Sequence, residues 1–328
     1  MGDSHKSVWL SCGCAAAVFV SMGCGAQSAD TRYPAKPVRV VIPFAPGGGV
    51  DVVGRLVSAK LADELKQQFI ADNRSGAGGT VGTDIVAKAP ADGYTLLAVN
   101  SGFVYSPSLY SKLPYDTVKD FAGISRLGSS PSILVVNNAV AVKSVKELLA
   151  LMKAKPGQIN YGASVGGTLH LAVALFEDLA GVKGTLIPYK GGGPALIDTV
   201  GGQVHMMIAP LTSALVHVKA NRLRALGASG AKRTAMLPDL PTIAEAGVPG
   251  YEYTTWYGLL APAATPKYLI VKLNQTLAKV LVSADLRDKL GQQGLEIESD
   301  TPAQFSAMLK QEVARWEKII KAAKIQGE

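Results

Sequence analysis

Two glycine-rich segments carry the residues whose types and spacing could do chemistry. The first, residues 43–50, follows a run of β-branched residues and leads into a helix-like segment. A strand, a glycine loop and a helix N-terminus together present free backbone N–H groups to an anion. The loop lacks the Gly-Lys-Ser/Thr of a P-loop and the three-glycine spacing of a dinucleotide fingerprint. The pattern therefore predicts either an ordinary turn or a pocket for a small anion built mainly from backbone groups.

Asp51 stands beside this loop, where a carboxylate would oppose a bound anion. Its expected role is to cap the following helix by accepting backbone N–H bonds. Two alternatives remain open: Asp51 could order a bridging water, or it could receive an ammonium or amide group of the ligand.

The second segment contains Gly162-Ala-Ser164-Val-Gly166, which fits the G-x-S-x-G nucleophile elbow. A hydrolase would also need a base and an orienting acid. The candidates are His170, His205 and His217 for the base, and Asp178 and Asp198 for the acid. However, the strand predicted before the motif covers only residues 159–161, and so short a pattern also occurs by chance. We expect Ser164 to be a ligand hydroxyl or a turn residue.

Strand-like and helix-like runs alternate along the chain and must position these loops. Strands are predicted at 38–42, 70–73, 94–99, 133–136, 159–161, 186–189 and 206–209, and helices at 52–68, 83–89, 145–153, 169–180 and from 194. This alternation predicts parallel sheets covered by helices on both faces. Because ligands of open α/β sheets bind beyond the carboxyl ends of the strands, we expect the two glycine loops to face each other across a cleft.

Length and charge limit the class of protein. The 328 residues are enough for two domains, and the net charge of +8 comes from basic residues that are dispersed along the chain. Nucleic-acid binding would require a clustered basic stripe, so it is not expected. The charge suits an acidic ligand, or plain solubility. No histidines or carboxylates show metal-ligand spacing, so neither a metal nor another cofactor is expected.

Residues 1–28 are predicted to be an export signal. Lys6 precedes a mostly apolar stretch of small residues, and residues 26–28 resemble a cleavage site. All three cysteines lie within this stretch, so the mature chain would contain none. Cys24 could be a lipoprotein cysteine, but the large aliphatic residue usual three positions before it is missing.

Several short motifs follow one another in order over nearly the whole mature chain. They lie at 43–55, 73–79, 87–95, 160–164, 170–171, 188–192, 201–203, 240–247 and 256–262. Among them are Asn-Arg-Ser-Gly-Ala-Gly-Gly, Ala-Lys-Ala-Pro-Ala-Asp-Gly-Tyr-Thr and Leu-Pro-Thr-Ile-Ala-Glu-Ala-Gly. Together they resemble the Bug-type solute-binding receptors of tripartite tricarboxylate transporters.

The resemblance implies an α/β, two-lobed periplasmic-binding-protein fold of type II. Each lobe is expected to be a mostly parallel sheet flanked by helices, with the ligand cleft between the lobes. We place lobe I at 29–130 and 250–328 and lobe II at 131–249, with crossovers near 128–132 and 248–256. The function implied is a non-enzymatic, monomeric periplasmic receptor, which captures a small organic carboxylate and delivers it to membrane transporter subunits.

The resemblance also implies which residues bind the carboxylate. In lobe I these are Phe44, Ala45, Pro46, Gly47, Gly48, Asp51 and Ser101. In lobe II they are Ser164, Gly167, Thr168, Lys190 and Gly191. Trp256 and Tyr257 are expected either to line the cleft or to pack in the core.

Two departures from the family pattern bear on the ligand. The loop at 162–170 is about one residue shorter than usual, and Ala209-Pro210 stand where relatives often have Asp-Asn. The second departure removes polar contacts and favours a less polar ligand. Two other functions stay open: a periplasmic sensor that hands the liganded protein to a signalling partner, and an exported serine hydrolase that uses Ser164.

Overall fold

The computed structural model describes residues 1–2, 33–110 and 112–322. The predicted export signal, apart from its first two residues, and the possible lipidation site Cys24 lie outside the described residues. In the part of the chain that the structure covers, none of the helices is both long and apolar enough to cross a membrane.

Strands and helices alternate through the described residues. The strands are β1 (Val38–Ile42), β2 (Phe69–Asn73), β3 (Thr95–Asn100), β4 (Phe121–Asn137), β5 (Asn160–Ala163), β6 (Thr185–Pro188), β7 (Met206–Pro210), β8 (Leu223–Ala228) and β9 (Thr254–Pro262). The helices are α1 (Gly49–Leu65), α2 (Thr80–Ala87), α3 (Gly102–Leu109), α4 (Val145–Ala154), α5 (Thr168–Ala180), α6 (Gly192–Val200), α7 (Leu211–Lys219), α8 (Lys267–Leu281), α9 (Ala284–Gln292) and α10 (Pro302–Ala322). A short 3₁₀ turn, Ala77–Gly79, precedes α2.

The strands form two sheets that share β4. The first sheet has the order β2-β1-β3-β9-β4 and uses residues 121–131 of β4. The second sheet uses residues 132–137 of β4, which pair with β7 on one side and β8 on the other, and it continues from β7 through β5 to β6. Each sheet with its flanking helices forms one lobe, so the chain has a two-lobed α/β fold.

The strands pair in both parallel and antiparallel directions, whereas the sequence predicted mostly parallel sheets. Strands β1, β2 and β3 pair in parallel, as do β5, β6 and β7, whereas every pairing that involves β4 or β9 is antiparallel. Local sequence patterns did not predict the first part of β4, or β8 and β9. The first part of β4, residues 121–131, has small polar residues, including Ser125, Ser129 and Ser130, in place of a β-branched run.

Helix α1 is fixed against its sheet by a buried aliphatic stripe. Val50, Val53, Val57 and Leu61 are all buried and recur at helical spacing. Burial of each such side chain contributes roughly 1.5–3 kcal/mol. This packing holds the N-terminus of α1 at the carboxyl end of β1, where a ligand of an open α/β sheet is expected.

Candidate functional site

Asp51 organises the first glycine loop but is not the N-cap of α1. The N-cap is Gly48, and Asp51 lies in the first turn of the helix. Its Oδ2 reaches back to accept the N–H of Gly47 at 3.0 Å. The expectation that Asp51 caps the helix is therefore corrected: the glycine fills that position, and the carboxylate fixes the loop before it.

A small polar network surrounds the Asp51 carboxylate. Arg55 Nε and Asn73 Nδ2 each donate to its Oδ1 at 2.9 Å, and Asn73 Nδ2 also donates to the carbonyl of Phe44 at 2.9 Å. Burial would raise the pKa of Asp51, but the hydrogen bonds from Arg55, Gly47 and Asn73 outweigh it and hold the pKa below its ordinary value of 3.8. The network ties the glycine loop to the end of β2.

Asp51→Asn should lower the free energy of unfolding by about 1–3 kcal/mol, because three donors then face an amide with one acceptor oxygen. The pKa of Asp51 is lowered in the folded state, so the carboxylate stabilises fully above pH 3.8. Its contribution is lost as the pH falls through the lower folded-state pKa. Denaturant unfolding of both proteins between pH 7 and pH 2 should show their difference shrink at low pH. A difference independent of pH would contradict the role of the charge.

A small cavity of about 20 Å³ lies between the lobes at the start of several helices. It is lined by Phe44, Gly48, Gly49, Val50, Asn100, Ser164, Thr168, Leu169, Gly192, Pro210 and Tyr257. The N-termini of α1, α5 and α6 all contribute residues to this lining. The first N–H groups of a helix have no partner within it, and its positive dipole end favours an anion. No lysine or arginine is among the described residues that line the cavity.

Four polar side chains line the cavity: Asn100, Ser164, Thr168 and Tyr257. Asn100 Nδ2 donates to Thr168 Oγ1 at 3.4 Å, which links the first lobe to the second. The hydroxyls of Tyr257 and Thr212 lie 3.4 Å apart. Burial raises the pKa of Tyr257 to about 12, against a smaller opposing effect of Thr212, so the phenol is neutral near pH 7. The cavity therefore offers hydroxyl and amide groups beside the backbone N–H groups.

The two lobes touch each other around the cavity. A Cβ built on Gly191 would lie 3.0 Å from the backbone nitrogen of Ala45, and one built on Gly193 would overlap the carbonyl oxygen of Pro46. On another side, Tyr110 Oη donates to the carbonyl of Val165 at 3.0 Å. The structure is thus a closed form, in which glycines allow the backbones to approach.

The residues expected to bind the carboxylate fall into several groups. Those that line the cavity are Phe44, Gly48, Ser164 and Thr168. Those at or next to the contact between the lobes are Ala45, Pro46, Gly47 and Gly191. Three others lie behind these surfaces: Asp51 beneath the loop, Gly167 as the N-cap of α5, and Ser101 buried at the start of α3. Lys190 is exposed and does not line the cavity.

Five residues that line the cavity were not among the predicted ligand-binding residues: Gly49, Val50, Asn100, Leu169 and Gly192. Gly49 and Val50 belong to the first glycine segment, and Asn100 belongs to a polar turn that directly follows a predicted strand. Pro210 had been noted only as a departure from the family pattern. Tyr257 lines the cavity, whereas Trp256 does not.

Two of the histidines considered for a serine hydrolase have other hydrogen-bond partners. His170 Nδ1 accepts the N–H of Gly166 at 3.1 Å, and His205 Nδ1 accepts the N–H of Asn160 at 2.9 Å. No hydrogen bond joins Ser164 to a histidine within residues 33–110 and 112–322. Over the same residues, no cluster of three or more histidines, cysteines and carboxylates could hold a metal ion.

A two-lobed α/β fold, closed over a cavity at which helix N-termini converge, defines a periplasmic solute-binding protein. The family model described as "Tripartite tricarboxylate transporter family receptor", or TctC, matches residues 53–325. The chain belongs to this family.

Relatives and solved structures agree with this assignment. BugT of Bordetella pertussis is 36% identical over 297 residues, which cover 90% of this chain and 91% of BugT. The structure described as R. palustris Rpa4515 with adipate has a TM-score of 0.86 and 38% identity, over 90% of this chain and 99% of that chain. MatC (Rpa3494) from Rhodopseudomonas palustris with bound malate has a TM-score of 0.84 and 31% identity, over 88% and 100% of the two chains.

Proposed function

We propose that this chain is an exported receptor, which captures a small organic carboxylate between its lobes and delivers it to the membrane subunits of a tripartite tricarboxylate transporter. One observation carries the proposal: helix N-termini from both lobes meet at one cavity that no cationic side chain lines. Each terminus stabilises an anion by about 0.3–2 kcal/mol. Backbone N–H groups thus replace a charged side chain as the ligands of the carboxylate.

The apolar part of the lining suggests the class of carboxylate. Phe44, Leu169 and Pro210 face the cavity alongside the polar groups. Pro210 replaces a polar residue of the family pattern, so the site suits a ligand with an apolar body and few hydroxyls. The similar structures that contain adipate and malate support a small dicarboxylate, and the cavity walls favour the less polar type. The cavity of about 20 Å³ has room for about one water, so a bound dicarboxylate requires the lobes to lie slightly further apart than in this structure.

Closure of the lobes is the step that couples binding to delivery. We assign residues 29–130 and 250–328 to lobe I and 131–249 to lobe II. The change of β4 from one sheet to the other after Pro131, and the pairing of Pro131 with Thr254, support these limits. A ligand that contacts both lobes favours the closed form, and the transporter subunits recognise that form. We further propose that residues 1–28 are removed on export and that the receptor is a monomer.

Calorimetry tests the proposal directly. Purified receptor should bind adipate or malate, and it should not bind hexane-1,6-diol, which has the length of adipate without its charges. Raising the salt concentration should weaken binding only modestly, because the site is enclosed. Equal binding of the diol, or no binding of either dicarboxylate, would refute a site for small dicarboxylates at the helix N-termini.

We also propose that the receptor is not a hydrolase. Ser164→Ala should weaken carboxylate binding by about 0.5–1.5 kcal/mol, the contribution of one hydrogen bond. It should leave any trace hydrolysis of p-nitrophenyl esters unchanged, because no histidine is hydrogen-bonded to Ser164. Ester turnover that disappears in Ser164→Ala, but persists in Thr168→Val, would show that Ser164 is a nucleophile.

A further inference from the structure

A much larger cavity lies on the other face of strand β9. Its volume is about 1000 Å³. Neighbouring residues of a strand point to opposite faces, and here Trp256 lines the large cavity while Tyr257 lines the small one. Strand β9 therefore separates the two cavities. It begins beside Pro131, the point at which β4 leaves the first sheet and enters the second. We call the large cavity the hinge groove.

Both lobes contribute walls to the hinge groove. Helix α5 of the second lobe lines it with His170 and Ala174, whereas Thr168 at the start of the same helix lines the small cavity. Tyr105 on α3 and Trp316 on α10 form the wall of the first lobe. Helix α5 therefore lies between the two cavities and moves with the second lobe when the lobes open.

We propose that the hinge groove is a second binding site, for a flat amphipathic aromatic molecule, and that its occupant holds the lobes closed. The small cavity and the groove lie on opposite sides of the crossing strands. A rotation that separates Gly193 from Pro46 brings α5 toward α10, so opening the cleft narrows the groove. The groove is widest in the closed form described here, and an occupant that fills it binds that form best.

The walls of the groove define the chemistry of this occupant. Tyr161, Tyr253, Trp256 and Trp316 supply aromatic rings. The volume lies at the upper end of the range of small-molecule pockets, and it is lined by aromatic side chains as such pockets commonly are. A flat aromatic body fits these walls better than an aliphatic acid does.

Polar side chains also line the groove. Its charged residues are Lys153, Lys183, Arg315, Glu177, Asp178, Glu252 and Glu312. His170 accepts a backbone N–H at Nδ1, so its neutral ring carries the proton on Nε2. Burial lowers the pKa of His170, which keeps the ring neutral at pH 7. Lys183 and Arg315 are paired with Glu177 and Glu312, whereas Lys153 forms no ion pair within residues 33–110 and 112–322. Lys153 and the Nε2 donor of His170 therefore favour an occupant that carries an acceptor group, such as a sulfonate.

The two sites are coupled because occupancy of either one favours the same closed form of the lobes. A groove occupant that stabilises the closed form must tighten carboxylate binding, and a carboxylate must tighten binding in the groove by the same factor. This coupling does not depend on which carboxylate the small cavity takes.

The probe for the test is 8-anilinonaphthalene-1-sulfonate, an aromatic molecule with an acceptor group. Its fluorescence should rise on binding to the wild-type receptor. Ala174→Trp fills the groove from α5 and should weaken probe binding at least tenfold. Leu179→Trp is the matched control, because Leu179 is exposed on the same helix and does not line the groove. Ala174→Leu, a smaller change, should give an intermediate loss.

Failure of the wild type to bind the probe, or equal weakening by both tryptophan variants, would overturn the proposed site. Circular dichroism confirms that each variant is folded. If Ala174→Trp does not fold, the comparison of Ala174→Leu with Leu179→Trp decides the question.

Spin labels measure the effect of the groove on closure. The mature chain as proposed has no cysteine, so Ala59→Cys on α1 and Ile197→Cys on α6 allow selective labelling of the two lobes. The probe alone should shift the distance distribution toward the closed form, and Ala174→Trp without probe should do the same. An unchanged distribution, or a shift toward longer distances, would contradict the proposed coupling. These measurements contain no carboxylate, so they are independent of whether adipate or malate binds.

Discussion

Gly193→Ala should weaken carboxylate binding more than tenfold, or by more than about 1.4 kcal/mol, without destabilising the protein. In the closed form the added Cβ would overlap the carbonyl oxygen of Pro46, which belongs to the backbone of the other lobe. No change of rotamer can relieve this overlap, so the lobes cannot close fully. Alanine in place of a helical glycine stabilises a helix by up to about 1 kcal/mol, so the melting temperature should not fall.

Gly201→Ala provides a matched control for this variant. Gly201 ends the same helix with a negative φ of −76°, and a Cβ there would make only ordinary contacts with the carbonyls of Ile197 and Asp198. We expect Gly201→Ala to bind like the wild type in the same calorimetry. If Gly193→Ala also keeps full affinity, the close approach of the two lobes is not needed for binding.

Gly49→Ala is expected to have a comparable effect through a different contact. Its Cβ would overlap the hydroxyl of Tyr257 and would lie 2.8 Å from Thr212 Oγ1, at the point where α1 enters the cavity. The first turn of α1 must then shift, and its N–H groups move away from the carboxylate. Calorimetry should show affinity reduced at least tenfold, roughly 1.4 kcal/mol.

A double-mutant cycle identifies the cause of this loss. Tyr257→Phe removes the hydroxyl that the new Cβ would meet, so it should restore part of the affinity of Gly49→Ala while changing the wild type by about 1 kcal/mol or less. Strictly additive losses would show that the alanine acts through another contact, such as the one with Thr212 Oγ1.

The sequence predicted those features that depend on local patterns. The β-branched run at 38–42 and the helix at 145–153 match β1 and α4 closely, because buried strands and amphipathic helices each have a characteristic period. The two-lobed α/β class and the family also agree with the prediction. The antiparallel pairing of β4 and β9 was not predictable in this way, because it depends on contacts between distant segments.

The residues of the site also divide into those that local patterns predicted and those that depend on contacts between distant segments. Phe44, Gly48, Ser164 and Thr168 lie in glycine-bearing loops after strands, so motifs were enough to place them at the cavity. Asp51 was assigned a capping role by residue type, but the left-handed Gly47 and the extended Gly48 let the carboxylate accept the N–H before the cap. The exposure of Lys190 likewise follows from how the lobes pack, which no local pattern specifies.

A carboxylate held at helix N-termini is expected to close the two lobes. The most direct measurement is the distance between spin labels at Ala59→Cys and Ile197→Cys, recorded with and without saturating adipate in the wild-type and Gly193→Ala backgrounds. Adipate should shift the wild-type distribution to one shorter distance and leave Gly193→Ala at the longer one. Adipate bound tightly in calorimetry, with the same distances in both backgrounds before and after its addition, would contradict closure of the lobes on the ligand.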